Sequence, residues 1–347
     1  MKQFPIKIVN LQDEKILEIR WAPNNVCNFR CRYCFPGSNA GDHKSPSDLS
    51  LVIANFKHLI EQYKTKLGKN KIHLKINGGE PTLWKDLAEF IQEIKKDNDV
   101  YVSIITNGSR TLRWWKENGH LLDNIHLSHH VGQADIDHTI AVADTLYELG
   151  RRVTVKVLMD PISWYESANA VEYLKAQSKH KWFIVVGEVI EPEQSQIANI
   201  RVINNNDIKY NEIQKSYLKW GIKRFASLKW FWKNRKLFFN GDMRYHESKA
   251  TLNNGSTVKA TMYTYINKNW HSFKGWECNI GIESIFINWD GRIEGSCGEA
   301  LYGVDYYHNI LDQDFVEKFN PDFVPVVCSK YNCTCCSENH LSKRLLG

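Results

Sequence analysis

Hydrophobic and polar positions follow two alternating periods along the first 190 residues. Apolar–polar alternation with a period of two predicts a strand, and it recurs at 15–21, 71–77, 100–105, 124–127, 152–158 and 181–189. Apolar residues spaced along one helical face predict helices between these strands, at 50–66, 86–96, 111–118, 138–149 and 166–177. Strands that alternate with helices in this way are typical of a parallel sheet with helical crossovers.

This alternation predicts the fold class and the division of the chain. The eight-fold form of such an arrangement is the TIM barrel, so six strands predict an α/β fold with a partial (β/α)6 TIM-like barrel. A flat, doubly wound sheet has the same strand pattern and stays an alternative. Because the rhythm stops near residue 192, we predict the barrel at 1–192, a connecting segment at 193–269 and a small cysteine-rich extension at 270–347.

Composition narrows the classes of protein. The chain has 347 residues, of which 43% are hydrophobic and 24% charged, as in ordinary soluble proteins. A net charge of +6 is too mild to indicate a nucleic-acid partner by itself. No run of 18 apolar residues predicts a membrane span, and the N-terminus lacks the apolar region of a signal peptide. We therefore expect a cytoplasmic protein whose nine cysteines serve as metal ligands and not as disulfides.

Three cysteines lie in one short loop after the first predicted strand. Cys27, Cys31 and Cys34 have the spacing C-x3-C-x2-C. A [4Fe–4S] cluster normally takes four cysteine ligands, so three leave one iron open to a substrate or cosubstrate. A zinc knuckle and buried free thiols are the alternatives. Zinc loops usually pair two C-x2-C hairpins or add histidines, whereas the next histidine, His43, comes nine residues after Cys34.

With Tyr33 directly before the last cysteine, the loop resembles that of the radical SAM superfamily. The resemblance implies that the open iron binds the amino and carboxylate groups of S-adenosylmethionine. One helix and one strand later, Gly78-Gly79-Glu80-Pro81 resembles the GGE motif of that family, which binds the amino group. Glycines permit close backbone approach to a ligand, and Glu80 supplies an acceptor for an ammonium group. A plain turn is the alternative interpretation of the same residues.

Polar residues also follow the later strands, at the end where an α/β barrel has its active site; we call this end the barrel mouth. Thr106-Asn107-Gly108 resembles the TNG turn of the same family, and Ser128 matches a position that often contacts the cosubstrate ribose. Lys156 lies within a strand, where a buried lysine is costly unless paired. The carboxylate of the cosubstrate could form an ion pair with this lysine. The alternative is that the lysine is solvated at an open sheet edge. Of the adjacent His129 and His130, at most one faces the mouth.

The last third of the chain carries a second cysteine set. Cys278 and Cys297 flank two predicted strands joined by Asp290-Gly291, a strong hairpin signal. This pattern resembles the twitch or SPASM extension of radical SAM enzymes, which implies an auxiliary iron–sulfur cluster held by C-terminal cysteines. A structural zinc site is the alternative.

The chain has fewer C-terminal cysteines than the full SPASM pattern, which favours one auxiliary cluster over two. The predicted ligands are Cys278, Cys297 and members of the loop that contains Cys328, Cys333 and Cys335. The adjacent Cys335 and Cys336 can hardly both bind one cluster. Within this loop, C-x4-C-x-C and C-x2-C pairings therefore compete.

Residues 223–236 hold six basic and four aromatic side chains and no acid. Such interleaving fits a nucleic-acid backbone with stacking rings. It also fits a helix that lays lysine stems over its own core, and no nucleic-acid-binding motif accompanies it.

The resemblance implies an activity. An electron donor such as flavodoxin or ferredoxin reduces the first cluster, and S-adenosylmethionine is cleaved to methionine and a 5′-deoxyadenosyl radical. The radical abstracts hydrogen from a small-molecule or peptide substrate, and the auxiliary cluster accepts an electron or anchors that substrate. Because the first predicted strand begins at residue 15, no N-terminal peptide-recognition domain is expected. An RNA-modifying enzyme of this family and a non-enzymatic iron–sulfur or zinc module are the alternatives.

Overall fold

The computed structural model describes residues 3–34, 37–96, 98–179, 181–188, 211–214, 247–261, 264–265, 268–329, 333 and 339–346. Its strands are β1 Pro5–Asn10, β2 Ile16–Trp21, β3 Lys71–Ile76, β4 Asp99–Thr106, β5 Asn124–His129, β6 Arg152–Met159, β7 Phe183–Glu188, β8 Ser248–Leu252, β9 Thr257–Ala260, β10 Trp276–Cys278, β11 Ser284–Ile287, β12 Ile293–Glu294, β13 Val326–Val327 and β14 Lys343–Leu345. The helices are α1 Leu49–Leu67, α2 Leu87–Lys96, α3 Leu112–Asn118, α4 Ile136–Glu148, α5 Trp164–Ser178 and the short α6 Phe315–Lys318.

The larger sheet confirms the predicted α/β class. Its strand order is β12-β11-β2-β3-β4-β5-β6-β7. Strands β2 to β7 run parallel in sequence order, and each neighbouring pair is linked through at least one helix. This is the arrangement of a partial TIM barrel, with its mouth at the C-terminal strand ends. All six strands and all five helices predicted from periodicity are present, with ends shifted by at most two residues.

Alternation along the strands separates the two faces of this sheet. On β2, Leu17, Ile19 and Trp21 are at most 1% exposed, and the Trp21 ring contacts Phe56 of α1 at 4.7 Å and Phe90 of α2 at 4.8 Å between centroids. Successive side chains of a strand point to opposite faces. The intervening polar residues of β2 and their neighbours on the adjoining strands therefore face the barrel interior.

Helix α1 shows why these segments form helices of this length. The Asp48 side chain accepts a hydrogen bond from the Leu51 N–H at 3.0 Å and caps the start. Gly68 ends the helix with φ +67°, a left-handed conformation that glycine adopts without strain. The predicted apolar face is the buried one.

A smaller antiparallel sheet, in the order β13-β10-β14-β1-β8-β9, was not predicted. Strand β1 pairs with β8 and with β14, whose residues come more than 230 positions later in the chain. Its segment PIKIVN is short and begins with proline. Such pairing depends on distant partners, so local periodicity carries little signal for it.

The C-terminal hairpin predicted around Asp290-Gly291 is confirmed as β11 and β12. Strand β11 runs parallel to β2 and extends the barrel sheet beyond its first strand. Helix α1 also reaches this region: the Tyr63 hydroxyl donates to the Gly281 carbonyl at 2.5 Å, and the Asn55 amide donates to the Ile310 carbonyl at 2.9 Å. The last part of the chain therefore shares the core of the barrel.

Some predictions fall outside the described residues. These are the basic–aromatic segment 223–236 and the cysteines Cys335 and Cys336. Within the part of the chain that is described, no helix combines the length and hydropathy that a bilayer crossing requires.

Candidate active site

The cysteine loop follows β2, and a backbone turn joins two of its cysteines, because the Cys34 N–H donates to the Cys31 carbonyl at 3.0 Å. The pKa of the Cys31 thiol is raised to about 11, mainly by burial and to a smaller extent by the thiols of Cys34 and Cys27. Cys27 accepts hydrogen bonds at its sulfur from the Phe29 N–H at 3.4 Å and from the Asn107 amide at 3.8 Å. Burial raises the pKa of the Cys27 thiol, and these two donors oppose that rise because they favour the thiolate.

The glycines after β3 bring the backbone against the segment that leads into the cysteine loop. A Cβ at Gly79 would lie 2.3 Å from the Val26 carbonyl oxygen, and one at Gly78 would lie 2.4 Å from that of Asn24. The missing side chains allow two backbone hydrogen bonds here. The Gly79 N–H donates to the Asn24 carbonyl at 3.0 Å, and the Glu80 N–H donates to the Val26 carbonyl at 2.7 Å. The turn thus fixes the backbone directly before Cys27, a contact within the chain that the sequence analysis had not considered.

Glu80 is fully buried and joins two of the predicted turns. Its Oε1 accepts from the Thr82 N–H at 3.1 Å, the Thr82 hydroxyl at 2.5 Å and the Thr106 hydroxyl at 2.7 Å, while Oε2 accepts from the Asn107 N–H at 2.6 Å. Burial raises the pKa of the Glu80 carboxyl, and these four hydrogen bonds oppose that rise. The structure therefore brings Glu80, Thr106 and Asn107 together beside Cys27.

The cysteine loop is also held from the opposite side of the barrel mouth. Arg32 forms a bidentate ion pair with Asp160, the residue directly after β6. The distance from Arg32 Nε to Asp160 Oδ2 is 2.8 Å. The Tyr33 hydroxyl lies 3.1 Å from Nδ1 of His130, and the two rings are stacked with centroids 5.9 Å apart. His129 faces the other way, toward Thr139 of α4. Of the two histidines, His130 is the one at the mouth.

Lys156 lies on the interior face of β6, beside Ser128 in the register of β5 and β6. A Cβ at Gly187 of β7 would lie 2.3 Å from its Cε, so the glycine leaves room for the lysine arm. Burial lowers the pKa of the Lys156 ammonium group. Among the described residues, it has no hydrogen bond or ion pair.

The second cysteine set lies on the smaller sheet and on the loop after the hairpin. Cys278 is the last residue of β10, which pairs with β13, and Cys328 follows β13 and donates its N–H to the Trp276 carbonyl at 2.8 Å. The loop that contains Cys297 is tied to this region because the Ser329 hydroxyl donates to the Glu299 carboxylate. Cys333 donates its N–H to the His271 carbonyl at 2.8 Å.

In the described part of the chain, no three histidine, cysteine or acidic side chains are arranged to hold one metal ion. A four-iron cluster makes a different demand, because each cysteine binds a separate iron.

A family model provides the decisive comparison. The model of the radical SAM superfamily matches residues 21–195, which is half of the chain and includes the cysteine loop, both turns and Lys156. The chain belongs to the radical SAM superfamily.

Curated relatives within this family are similar over part of their length. The chain is 30% identical over 161 residues to the GTP 3′,8-cyclase of Pasteurella multocida, covering 44% of this chain and 46% of that protein. It is 27% identical over 216 residues to the GTP 3′,8-cyclase of Actinobacillus pleuropneumoniae serotype 5b, covering 55% and 62%. The chain therefore spans about half the length of the curated relatives it matches.

Solved structures of radical SAM enzymes share the fold. The chain resembles anSMEcpe with bound AdoMet, with a TM-score of 0.51 and 15% identity over 89% of this chain and 79% of that one. It also resembles SuiB of Streptococcus suis bound to the precursor peptide SuiA, with a TM-score of 0.50 and 15% identity over 88% and 64%. At this identity the likeness concerns the fold alone.

Sequence reasoning missed several residues that shape the site. Asp160 is a polar residue directly after a predicted strand, so the rule that found Ser128 could also have found it. Arg32 lies within the cysteine motif but carries no spacing signal. Asn24 and Asn25 are buried and hold the loop through the Ser45 hydroxyl, at 2.9 Å, and the Asp42 carboxylate, at 2.6 Å. Only the folded loop reveals these contacts.

Replacing Glu80 tests how far the site depends on its carboxylate. Glu80→Ala should lower the free energy of unfolding by about 3 kcal/mol, because buried donors of Thr82, Thr106 and Asn107 lose their acceptor. Urea denaturation of the unloaded protein measures this loss. The exposed Glu148→Ala is the control and should change stability by less than about 0.5 kcal/mol. Equal denaturation midpoints for the two variants would contradict the role of Glu80.

Glu294, on the hairpin strand β12, gives the protein a pH-dependent stability. It is 7% exposed, and burial raises the pKa of its carboxyl to about 7, with Asp290 adding to the rise while Arg292 and the Asn288 amide oppose it. The folded state therefore binds the proton more tightly than the unfolded state. Stability should be greatest below about pH 4.5 and should fall as the pH rises through about 7.

Glu294→Gln should remove this contribution. The difference in unfolding free energy between wild type and variant should change by about 3 kcal/mol from pH 4.5 to pH 8. The difference between the two proteins is needed because His126, His129 and His130 give the opposite slope, since desolvation lowers their pKa values to about 4. Urea denaturation along a pH series measures it, and a constant difference would show that Glu294 has an ordinary pKa.

Proposed function

We propose that this protein is a radical SAM enzyme whose Cys27, Cys31 and Cys34 hold a [4Fe–4S] cluster. The observation that carries the proposal is the pair of N–H donors at the Cys27 sulfur, from Phe29 and Asn107, in a loop where a backbone hydrogen bond joins Cys34 to Cys31. Hydrogen bonds to cysteine sulfur stabilise and tune such clusters. The ion pair of Arg32 with Asp160 and the turn at Gly78-Gly79 fix the loop on two sides.

The residues around this loop would hold S-adenosylmethionine. Glu80 would accept from its ammonium group through Oε2, which accepts one hydrogen bond among the described residues. The buried Oδ1 of Asn77, directly before the glycines, accepts no hydrogen bond from the part of the chain that the structure describes, and it is a second acceptor at this place. Lys156 would pair with the carboxylate and Ser128 would contact the ribose. The remaining members of the proposed site are Tyr33, Gly78, Gly79, Thr106 and Asn107.

When bound, the cluster supplies the electron that cleaves S-adenosylmethionine to methionine and a 5′-deoxyadenosyl radical, which takes hydrogen from the substrate. The enzyme would need a reduced electron donor of the flavodoxin or ferredoxin type and a reducing compartment such as the cytoplasm. The residues of the protein itself would hold the cosubstrate at the barrel mouth. The substrate would lie against the interior face of the barrel.

We also propose one auxiliary iron–sulfur cluster in a twitch or SPASM-like region. Strand pairing sets Cys278 opposite Val326, two residues before Cys328, and Ser329 ties the Cys297 loop to this region. Asn339 is fully buried, and its amide nitrogen and oxygen have no partner among the described residues, as expected beside a group that would satisfy them. The other ligands would come from Cys333 and Cys335.

A small-molecule substrate is favoured over a peptide. The relatives similar in sequence are GTP 3′,8-cyclases, named for a small molecule, whereas the peptide-bound SuiB shares the fold alone. The RNA-modifying alternative depends on residues 223–236, outside the described part of the chain. A non-enzymatic metal module would not need the polar pocket at the strand ends.

The first cluster is tested by a triple substitution. Cys27→Ala, Cys31→Ala and Cys34→Ala together should abolish formation of 5′-deoxyadenosine under dithionite, because no ligand remains to hold the iron that meets the cosubstrate. Liquid chromatography of anaerobic reactions measures the product, and iron analysis measures the loading. Cys278→Ala with Cys297→Ala is the control and should still cleave S-adenosylmethionine. Undiminished cleavage by the triple variant would refute the assignment.

The auxiliary cluster is tested by iron counting. After separate reconstitution, the wild type should hold about eight irons and the triple variant about four, with its own reduced electron paramagnetic resonance signal. A colourless triple variant with one zinc would identify a structural zinc site instead, and one without metal would leave these thiols as core residues. Single alanine variants at Cys328, Cys333, Cys335 and Cys336 then identify which pair of the loop binds.

A further inference from the structure

The smaller sheet presents one face to solvent, and strand pairing sets the residues of this face in two rows. Residues paired across neighbouring strands point to the same face of a sheet, and successive residues of one strand point to opposite faces. The longer row crosses all six strands and consists of Val327, Glu277, Arg344, Lys7, Thr251 and Thr257. A shorter row beside it consists of Val9, Lys249 and Lys259. We call the residues of these two rows the outer face.

The opposite face of this sheet is buried, which fixes the direction of the outer face. Ile8, Ala250 and Trp276 are sequence neighbours of outer-face residues and are at most 6% exposed. By contrast, Val9 and Val327 are 39% and 55% exposed. The outer face is therefore open to a partner and carries two apolar side chains among its charges.

Two cations of the outer face have a carboxylate beside them. Arg344 pairs with Glu277, and Lys259 pairs with Glu247, directly before β8, at 2.5 Å. The Arg344 and Lys259 side chains are nevertheless each 63% exposed. Exposed ion pairs of this kind are weak and leave the charged groups accessible to another molecule.

The other two cations, Lys7 and Lys249, are exposed and form no ion pair with any residue that the structure describes. The outer face thus has four cations against the two carboxylates of Glu277 and Glu247. This excess of two positive charges on one flat surface favours an acidic partner.

One end of the outer face lies over the second cysteine set. Glu277 directly precedes Cys278 on β10, and Val327, its partner across the sheet, directly precedes Cys328. Because successive residues of a strand point to opposite faces, Cys278 lies on the buried face beneath this end. A single sheet layer would therefore separate the proposed auxiliary cluster from the outer face.

The size and composition of the outer face indicate its kind of partner. Neighbouring strands lie about 4.8 Å apart, so six strands span roughly 24 Å. A surface of this size suits weak, transient complexes, and electron-transfer pairs are the class that buries the least area. A second copy of this chain would set like charges against each other. A single-stranded nucleic acid would need aromatic rings for stacking, and the outer face has none.

We propose that the outer face docks a small acidic iron–sulfur protein of the ferredoxin type, whose carboxylates Lys7 and Lys249 bind while Val9 and Val327 make apolar contacts. The proposal rests on the proposed function, because it assigns a docking surface to the electron carrier which that function requires. Positive charge on the outer face attracts and orients an acidic carrier. The position of the sheet then brings the carrier close to the proposed auxiliary cluster.

Docking can be measured without turnover. The reconstituted full chain is titrated by calorimetry with a purified acidic [2Fe–2S] ferredoxin at about 20 mM and about 300 mM salt, because salt screens exposed charges. We expect saturable binding that weakens with salt, and an affinity at least about 10-fold lower in Lys7→Glu/Lys249→Glu. Cytochrome c, a basic electron carrier, should not bind.

Charge reversal at these two positions should leave the fold intact. The side chain of Lys7→Glu would lie opposite Arg344, and that of Lys249→Glu opposite Lys259. Opposite charges paired across strands stabilise a sheet. Urea denaturation checks that the variant is as stable as the wild type, and Lys7→Gln/Lys249→Gln, which removes the charges without adding new ones, repeats the binding test if it is not.

The matched control makes the same change in net charge away from the smaller sheet. Lys85→Glu/Lys116→Glu alters two exposed lysines, one before α2 and one on α3, and should bind ferredoxin as the wild type does. Absence of saturable binding to the wild type, or an equal loss of affinity in the control and outer-face variants, would overturn the proposal. Binding of single-stranded RNA in place of ferredoxin, or dimerisation through this face in analytical ultracentrifugation, would also overturn it.

Cleavage of S-adenosylmethionine under dithionite, which needs no protein carrier, is measured on the same preparations. A wild type that binds ferredoxin but does not cleave S-adenosylmethionine contradicts the proposed function. A wild type that cleaves it but does not bind ferredoxin contradicts only the docking surface.

Discussion

The buried carboxylate of Glu80 is the interaction on which the arrangement of the barrel mouth depends. It receives four hydrogen bonds from the turns that follow β3 and β4, and its own N–H continues to the backbone before Cys27. A carboxylate in a low-dielectric place is tolerated only when its lone pairs are satisfied. Three strand ends are therefore fixed relative to one another by one residue, through its carboxylate at β3 and β4 and through its backbone N–H at the segment before the cysteine loop.

Sequence periodicity predicted the barrel strands and helices because each element buries one apolar face, and the apolar residues of that face recur with the period of a strand or of a helix. The face of β2 that carries Trp21 is an example. It did not predict β1, whose partners lie at the other end of the chain. Nor could it place β11 next to β2, because a hairpin carries a signal for its turn at Asp290-Gly291 and none for the sheet it joins.

At the site, motif spacing selected Cys27, Glu80 and Asn107, and the structure shows Asn107 in contact with both of the others. Spacing could not select Asp160, which meets Arg32 from across the barrel. Such contacts depend on how strands are brought together and not on any local pattern. The two glycines illustrate the difference further, because the space they leave is filled by the chain's own backbone at Asn24 and Val26.

The pairing of β11 with β2 has a consequence for how the protein is made. Strand β2 is complete once residue 21 has been synthesised, whereas its parallel neighbour on one side ends at residue 287. During synthesis, one edge of the growing barrel sheet therefore exposes unpaired N–H and carbonyl groups until nearly the whole chain has emerged. Contacts of such sequence separation form late and slowly. A nascent chain with an open edge is a natural client for a chaperone, and its yield should depend on the rate of synthesis.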